Sequence, residues 1–340
     1  MKVLNLMLSR DQGGLQQVFL DYSSMLKSCN IKVINVTSSS AKINQSITPD
    51  YKLLNLGNWD WFSIFHLKQI VAKTRPDIII AHGGRAAKFA YYAKGLSHLV
   101  GITHSHKLKW IEKSDYIITL TKYMYNKAFE AGISKDKLII LPNSIDMTKF
   151  DITKAHNSEI TPHITTMGRF VQKKGIDVFI RAIHILKERN IALKASIGGT
   201  GEDEKELRSL VKTLKLENEI EFTGWVYNPE QFFKATDIFC LPSREEPFGV
   251  VLLEAMLFSL PIVSTMSEGP REILTHNKDA LLVQIDSPIQ IADAVEQLIK
   301  NSKEARSLGH EAYLTVARSY DMKIVGDQLA SHLSKILLPK

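Results

Sequence analysis

The sequence predicts an α/β protein built from two doubly wound, Rossmann-like domains facing each other across a cleft. Three observations carry this expectation. Short apolar runs alternate with longer segments of helical periodicity from end to end. That alternation is the mark of parallel strands joined by covering helices. The length of 340 residues suits two domains, at roughly 100–200 residues each. The alternation also forms two series, parted by the polar stretch 150–161 before Pro162, the best linker candidate.

Each strand expectation rests on a short apolar run. In the first series the runs are KVLNLML at 2–8, IKVINV at 31–36, DIIIA at 77–81, LVGIT at 99–103, YIITL at 116–120 and KLIIL at 137–141. Helical segments lie between them at 14–28, 62–74, 84–95 and 122–131. The opening has only a short apolar stretch before Arg10 and Asp11, so it reads as a first strand rather than a leader peptide. In the second series strands are expected at 163–167, 193–197, 220–223, 237–241, 261–264 and 280–283. Helices are expected at 175–189, 203–215, 229–235, 249–257, 270–275 and 288–300.

Composition excludes several classes. With 44% apolar and 23% charged residues the chain is neither disordered nor low in complexity. Two cysteines, Cys29 and Cys240, are too few for a disulfide framework and lack metal-ligand spacing. A reducing, cytoplasmic compartment fits. No run approaches the ~18–20 apolar residues a membrane span needs. The net charge of +7 divides unevenly: residues 1–157 carry +10 and residues 158–340 carry −3. A basic surface attracts phosphate, anionic lipid or nucleic acid, and composition does not choose among them.

In open α/β sheets ligands bind outside the carboxyl ends of the strands. Residues just after strands therefore carry most weight. The segment Gly168-Arg169-Phe170-Val171-Gln172-Lys173-Lys174-Gly175 follows a strand and opens a helix. Its arginine and lysine could clamp a diphosphate, aided by the helix N-terminus; a solvated basic turn is the plainer alternative. The segment Glu245-Glu246-Pro247-Phe248-Gly249-Val250-Val251-Leu252-Leu253-Glu254 also starts a helix. Glu254 interrupts an apolar stretch, where a carboxylate needs partners. Two sugar hydroxyls would supply them, as would a nearby backbone. The amides at 248–250 point out of a helix start, toward a hydroxyl or an anion.

These segments, with GGTGEDEKEL, FTGWV, the strand DIFCLPS, Gly13-Gly14 and the turn LIILPNSIDMTKF, make the chain resemble a retaining glycosyltransferase of family 4 with the GT-B fold. The likeness spans nearly the whole chain. The turn matches the family pattern at Pro142, Asn143, Asp146 and Phe150, with Ser144 where glycine is usual. The resemblance implies that Arg169 and Lys174 bind the donor diphosphate and that Glu254 binds the nucleotide ribose. It implies that Glu246 faces the donor sugar. Amides of Phe248, Gly249 and Val250 would bond sugar hydroxyls or phosphate, and Trp225 and Val226 would lie at the base. Gly13 and Gly14 would bring the first helix close to the diphosphate. A final helix, 321–340, would pack back on the N-terminal acceptor domain (1–157), beside the donor domain at 158–320. No cofactor and no essential divalent metal are implied. The sequence agrees in having no two aspartates one residue apart.

The family also carries a histidine near the donor sugar. His104 directly follows the strand LVGIT and has the better register; His106 is the alternative. A surface loop histidine is the plain reading of either. Between His106 and Asp115 only KLKWIEKS intervenes, shorter than in many relatives, which puts a borrowed acceptor in doubt. The turn Ala81-His82-Gly83-Gly84-Arg85 could hold an anionic acceptor group, with His82 and Arg85 as acceptor-binding candidates and His106 as a third. The stretch from Trp59 through Trp61, Phe62 and Phe65 to Lys68 concentrates aromatics at a helix start. Buried core is its default reading, and a lipid headgroup seat the sharper one.

The expected function is transfer of a sugar from a nucleotide-diphosphate sugar to a hydroxyl of a glycan or glycolipid, in cell-surface polysaccharide or lipopolysaccharide assembly. The alternatives are a synthase acting on a small soluble acceptor, or a catalytically weak binding protein on the same fold. The expected location is the cytoplasm, with peripheral contact to an anionic membrane through the basic half. Nucleic acid is disfavoured, because no zinc, RNP-like or helix-turn-helix signature accompanies the charge.

Overall fold

A computed structural model describes residues 1–10, 13–57, 60–152 and 161–338. The chain divides into two compact units, Met1–Asp146 with Asp321–Lys340, and Met147–Tyr320. The division thus falls after Asp146, not at 157. Residues 153–160, most of the linker candidate, lie outside the described residues.

Unit 1 runs β1 (Lys2–Met7), α1 (Gly14–Ser28), β2 (Lys32–Ser38), β3 (Tyr51–Leu53), α2 (Trp61–Thr74), β4 (Ile78–His82), α3 (Gly84–Ala93), β5 (His98–Thr103), β6 (Tyr116–Thr119), α4 (Lys122–Glu130) and β7 (Leu138–Ile140). Its parallel sheet has the order β3-β2-β1-β4-β5-β6-β7. The strands read as continuous apolar runs because helices cover both faces. Side chains cap two of the helices. Asp60 accepts the Ser63 amide at 2.9 Å, and Thr121 accepts that of Met124 at 3.2 Å.

Unit 2 continues with β8 (His163–Met167), α5 (Ile176–Glu188), β9 (Lys194–Gly198), α6 (Glu204–Thr213), β10 (Ile220–Gly224), α7 (Pro229–Lys234), β11 (Ile238–Leu241), α8 (Val250–Leu257), β12 (Ile262–Thr265), α9 (Pro270–Ile273), β13 (Leu281–Val283), α10 (Pro288–Lys300) and α11 (Ser302–Ser319). Its parallel sheet is ordered β10-β9-β8-β11-β12-β13. The core gathers Ile164, Phe179, Ile197, Cys240 and Val263 with helix residues such as Ile183 and Val295. The last helix, α12 (Met322–Ile336), belongs to unit 1 and packs on α1. There Gly326 lies against the Met25 side chain.

Two elements escape the pattern of apolar runs. Strand β3 has only three residues at the sheet edge. Helix α11 is largely polar and buries Leu308, Gly309, Ala312 and Val316 on one narrow stripe.

Strand order reverses between β1 and β4 in unit 1 and between β8 and β11 in unit 2. These are the switch points, where the loops leaving adjacent strands diverge and open a crevice. The loops that leave β8 and β11 carry Arg169, Lys174 and Glu246.

Candidate active site

In unit 2 the loops after β8, β9 and β11 are held together by backbone bonds and by glycine. The Gly168 amide donates to the Gly198 carbonyl at 2.9 Å, and that of Phe170 to Thr200 at 2.9 Å. A Cβ on Gly199 would lie 1.9 Å from the Gly168 carbonyl oxygen. Gly175 has φ 64°, and a Cβ there would lie 2.1 Å from the Pro242 carbonyl oxygen. Only glycine admits that approach of the α5 start to the end of β11.

Within this frame the Lys174 ammonium pairs with the Glu246 carboxylate. Glu246 is 6% exposed, and its other neighbours include Ser243, whose hydroxyl lies 3.5 Å away. A carboxylate so placed needs its cation. Arg169, on the same loop, is exposed. Helix α8 begins at Val250 behind Gly249, φ 97°. Phe248 is buried, edge-on to Tyr320 with centroids 6.0 Å apart. Glu254 is half-buried within α8, one turn after Val250. At the far side, Val226 covers Gly198: a Cβ there would come 2.7 Å from its methyl. Trp225 beside it is half-exposed. The structure therefore gathers Arg169, Lys174, Glu246 and the α8 start around one switch point, with Val226 over the end of β9 and Trp225 next to it in the chain.

Sequence reasoning missed Arg244. Its guanidinium bonds both carboxylate oxygens of Asp177 at 2.8 Å, Asp286 at 2.5 Å and the Gln172 carbonyl at 2.7 Å. Burial, the largest single influence, pushes the Asp177 carboxyl up, but the Arg244 hydrogen bonds and charge, together with the Asp177 and Val178 amides, hold it below the usual carboxylate range. The amides of Arg244 and Glu245 also donate to the Lys173 carbonyl, at 2.8 and 3.1 Å. Arg244 thus locks the loop of Glu246 to the loop of Lys174. Nothing periodic marks an ion pair across 67 residues.

In unit 1, Gly13 and Gly14 open α1. A Cβ on Gly14 would meet nothing within 4 Å. His104 and His106 separate clearly. His104 follows β5 and lies edge to edge with His82, with centroids 5.3 Å apart and ring planes within 12° of each other. His106 is exposed, edge-on to Tyr123 at 5.8 Å. His82, an expected acceptor residue, faces inward from its turn. It is 3% exposed, and both ring nitrogens are engaged, by Asn5 at 2.8 Å and His104 at 3.3 Å. It ends β4, so its side chain packs inward between Phe19 and Tyr22. Arg85, in the first turn of α3, is exposed. The aromatic stretch also departs from its default: Trp61, Phe62 and Phe65 are 54%, 64% and 59% exposed. Trp59 lies outside the described residues. Among the described residues no three acidic, histidine or cysteine side chains gather to hold a metal, and no helix is long and apolar enough to cross a membrane.

Comparison with known proteins agrees with this architecture. The family profile of group 1 glycosyl transferases matches residues 148–315, and that of glycosyltransferase family 4 matches residues 12–149. The chain belongs to the family 4 glycosyltransferases of the GT-B fold. This glycosyltransferase is 25% identical over 264 residues to the lipopolysaccharide core biosynthesis glycosyltransferase LpsE of Rhizobium meliloti, covering 77% of this chain and 76% of that one. It is 26% identical over 299 residues to the putative colanic acid biosynthesis glycosyltransferase WcaL of Escherichia coli, covering 79% and 73%. Its fold is similar to that of Anabaena Alr3699/HepE in complex with UDP and glucose, with a TM-score of 0.87 at 18% identity, covering 98% of this chain and 100% of that one. The GT-B assignment explains why two doubly wound sheets occur in one chain.

Proposed function

We propose that this glycosyltransferase moves a sugar from a nucleoside-diphosphate sugar to a hydroxyl of a glycan or glycolipid, with retention at the anomeric carbon and without an essential metal. The observation that carries the reading is the Lys174–Glu246 pair at the β8/β11 switch point. One partner is the cation a diphosphate needs; the other is a carboxylate for sugar hydroxyls. Donor binding would draw Lys174 from Glu246 to the phosphate, together with Arg169, and free Glu246 for the sugar. Glu254 would accept the two ribose hydroxyls, and Trp225 and Val226 would border the base. The α8 amides at Phe248, Gly249 and Val250 add partial positive charge where the leaving group develops its negative charge.

In this reaction the bond from the anomeric carbon to the diphosphate oxygen breaks. The acceptor oxygen bonds that carbon on the same face, and its proton passes to the departing phosphate. No protein base is required. The relatives are lipopolysaccharide and colanic acid transferases, which favours a saccharide acceptor in cell-surface assembly. The Anabaena protein binds UDP and UDP-glucose, which makes uridine donors the first to test.

A second feature favours an acceptor held at a membrane. The exposed Trp61, Phe62 and Phe65 on α2 stand beside Tyr91 and Tyr92 of α3. Trp61 meets Tyr92 edge-on at 5.2 Å. The exposed Lys113 lies over the ring of neighbouring Trp110, at 4.7 Å. Aromatics with lysines suit an anionic headgroup region.

A donor panel with a lipid-linked saccharide acceptor tests the reading. A product with the donor's anomeric configuration, formed in EDTA, is expected. Inversion overturns retention, and loss of transfer in EDTA overturns metal independence.

A further inference from the structure

We propose that Asn5 and His82 are positioning residues that hold His104 as its Nε2–H tautomer, leaving the His104 Nδ1 as a pure hydrogen-bond acceptor. The argument starts at a backbone carbonyl. Phe19 offers only an acceptor, and the Asn5 side chain meets it at 3.1 Å. The atom facing it must therefore be the amide nitrogen, because two oxygens would repel. That nitrogen also donates to Asn35 Oδ1 at 3.2 Å, across the β1–β2 register that pairs Asn5 with Asn35. The Asn5 amide is thereby fixed in one orientation.

Its oxygen then faces His82 Nε2 at 2.8 Å. An amide oxygen only accepts, so His82 must carry its proton on Nε2. In the neutral ring Nδ1 is then a lone pair. That lone pair faces His104 Nε2 at 3.3 Å. His104 donates there, so its proton sits on Nε2 and its Nδ1 is left as an acceptor. Among the described residues His104 Nδ1 has no hydrogen-bond partner.

The surroundings keep both rings neutral. Phe19 and Tyr22 stand edge-on to His82, at 5.6 and 5.1 Å. Burial pushes His104 down to about 4. Burial, then the neighbouring His104, hold His82 well below the ordinary imidazole value. At neutral pH His104 would thus offer a lone pair to a hydroxyl, rather than a positive charge to a phosphate. Its use in transfer rests on the function proposed above; the tautomer chain does not.

Nitrogen-15 NMR of histidine-labelled protein at pH 7 reads the chain directly. Both rings are expected to show a protonated Nε2 and an unprotonated Nδ1. A protonated Nδ1 on either ring overturns the proposal. In His82→Phe the ring is kept, but the donor to Asn5 and the acceptor for His104 are both lost. The His104 signals should then move toward a tautomer mixture; an unchanged His104 overturns the relay. Asn5→Ser should release His82 in the same way, and the wild-type spectrum stands without either variant. In His82→Phe, turnover should fall about tenfold with donor KM within about twofold. A shifted tautomer with full turnover would leave the relay standing and remove His104 from the transfer step.

Discussion

Lys174 and Glu246, seventy-two residues apart, close an ion pair between the loops of two adjacent strands. Removing the lysine leaves a buried carboxylate without its cation, which destabilises by a few kcal/mol. Lys174→Met should therefore lower Tm without ligand, and the double variant with Glu246→Gln should recover most of the loss. Donor affinity should fall at least tenfold in both, or ~1.4 kcal/mol. Isothermal titration with nucleoside diphosphate separates the effects; unchanged affinity would end the clamp reading.

Arg244 acts on the same pair through its loop. Arg244→Lys keeps the charge but loses the fork on Asp177. We expect a stability loss of about 1–3 kcal/mol and weaker donor binding, measured by urea titration and calorimetry. Retention of both would show that the loop is held without the fork.

Two glycines should respond oppositely. Gly175→Ala meets the Pro242 carbonyl and a left-handed backbone, so Tm should drop steeply, by roughly 2 kcal/mol or more. Gly14→Ala meets no atom and should keep its Tm. If α1 receives the diphosphate, Gly14→Ala should nonetheless weaken the donor, and normal donor KM would remove Gly14 from the site.

The paired histidines predict a pH dependence. His104 titrates near 4 when folded and near ~6.5 when unfolded. Between those values the unfolded chain binds the extra proton, so stability falls as pH falls from ~6.5 toward 4. His104→Gln should flatten that part of the Tm profile. A variant as steep as the wild type would assign the slope to other groups.

The exposed aromatic face predicts membrane behaviour. Replacing Phe62 and Phe65 by serine should reduce sedimentation with anionic vesicles at least tenfold while leaving Tm unchanged. Equal binding by the variant, or binding indifferent to anionic lipid and salt, would exclude this face as the seat.

Much of this was legible in the chain. The runs DIIIA and DIFCL announce buried parallel strands because helices cover both sheet faces. The rule that ligands gather after strands singles out the segments of Arg169, Lys174 and Glu246, and the structure brings those segments together on loops that leave adjacent strands. Three residues resisted. Asn5 reads as a flaw in an apolar strand, Arg244 as one charge in a charged loop, and His82 as part of a glycine turn. Each acquires its role from a partner distant in sequence.

Local pattern, then, determined the elements, their parallel arrangement and the family, since periodicity and short motifs are properties of neighbouring residues. Tertiary structure decided the order of the strands and so where the switch points fall. It decided that Lys174 meets Glu246, that Arg244 binds their loops together, and that His104 lies half-buried against His82 while His106 is exposed. It also turned Phe62 and Phe65 outward. Those outcomes depend on which surfaces crossover connections bring face to face, and that is a property of the packed chain alone.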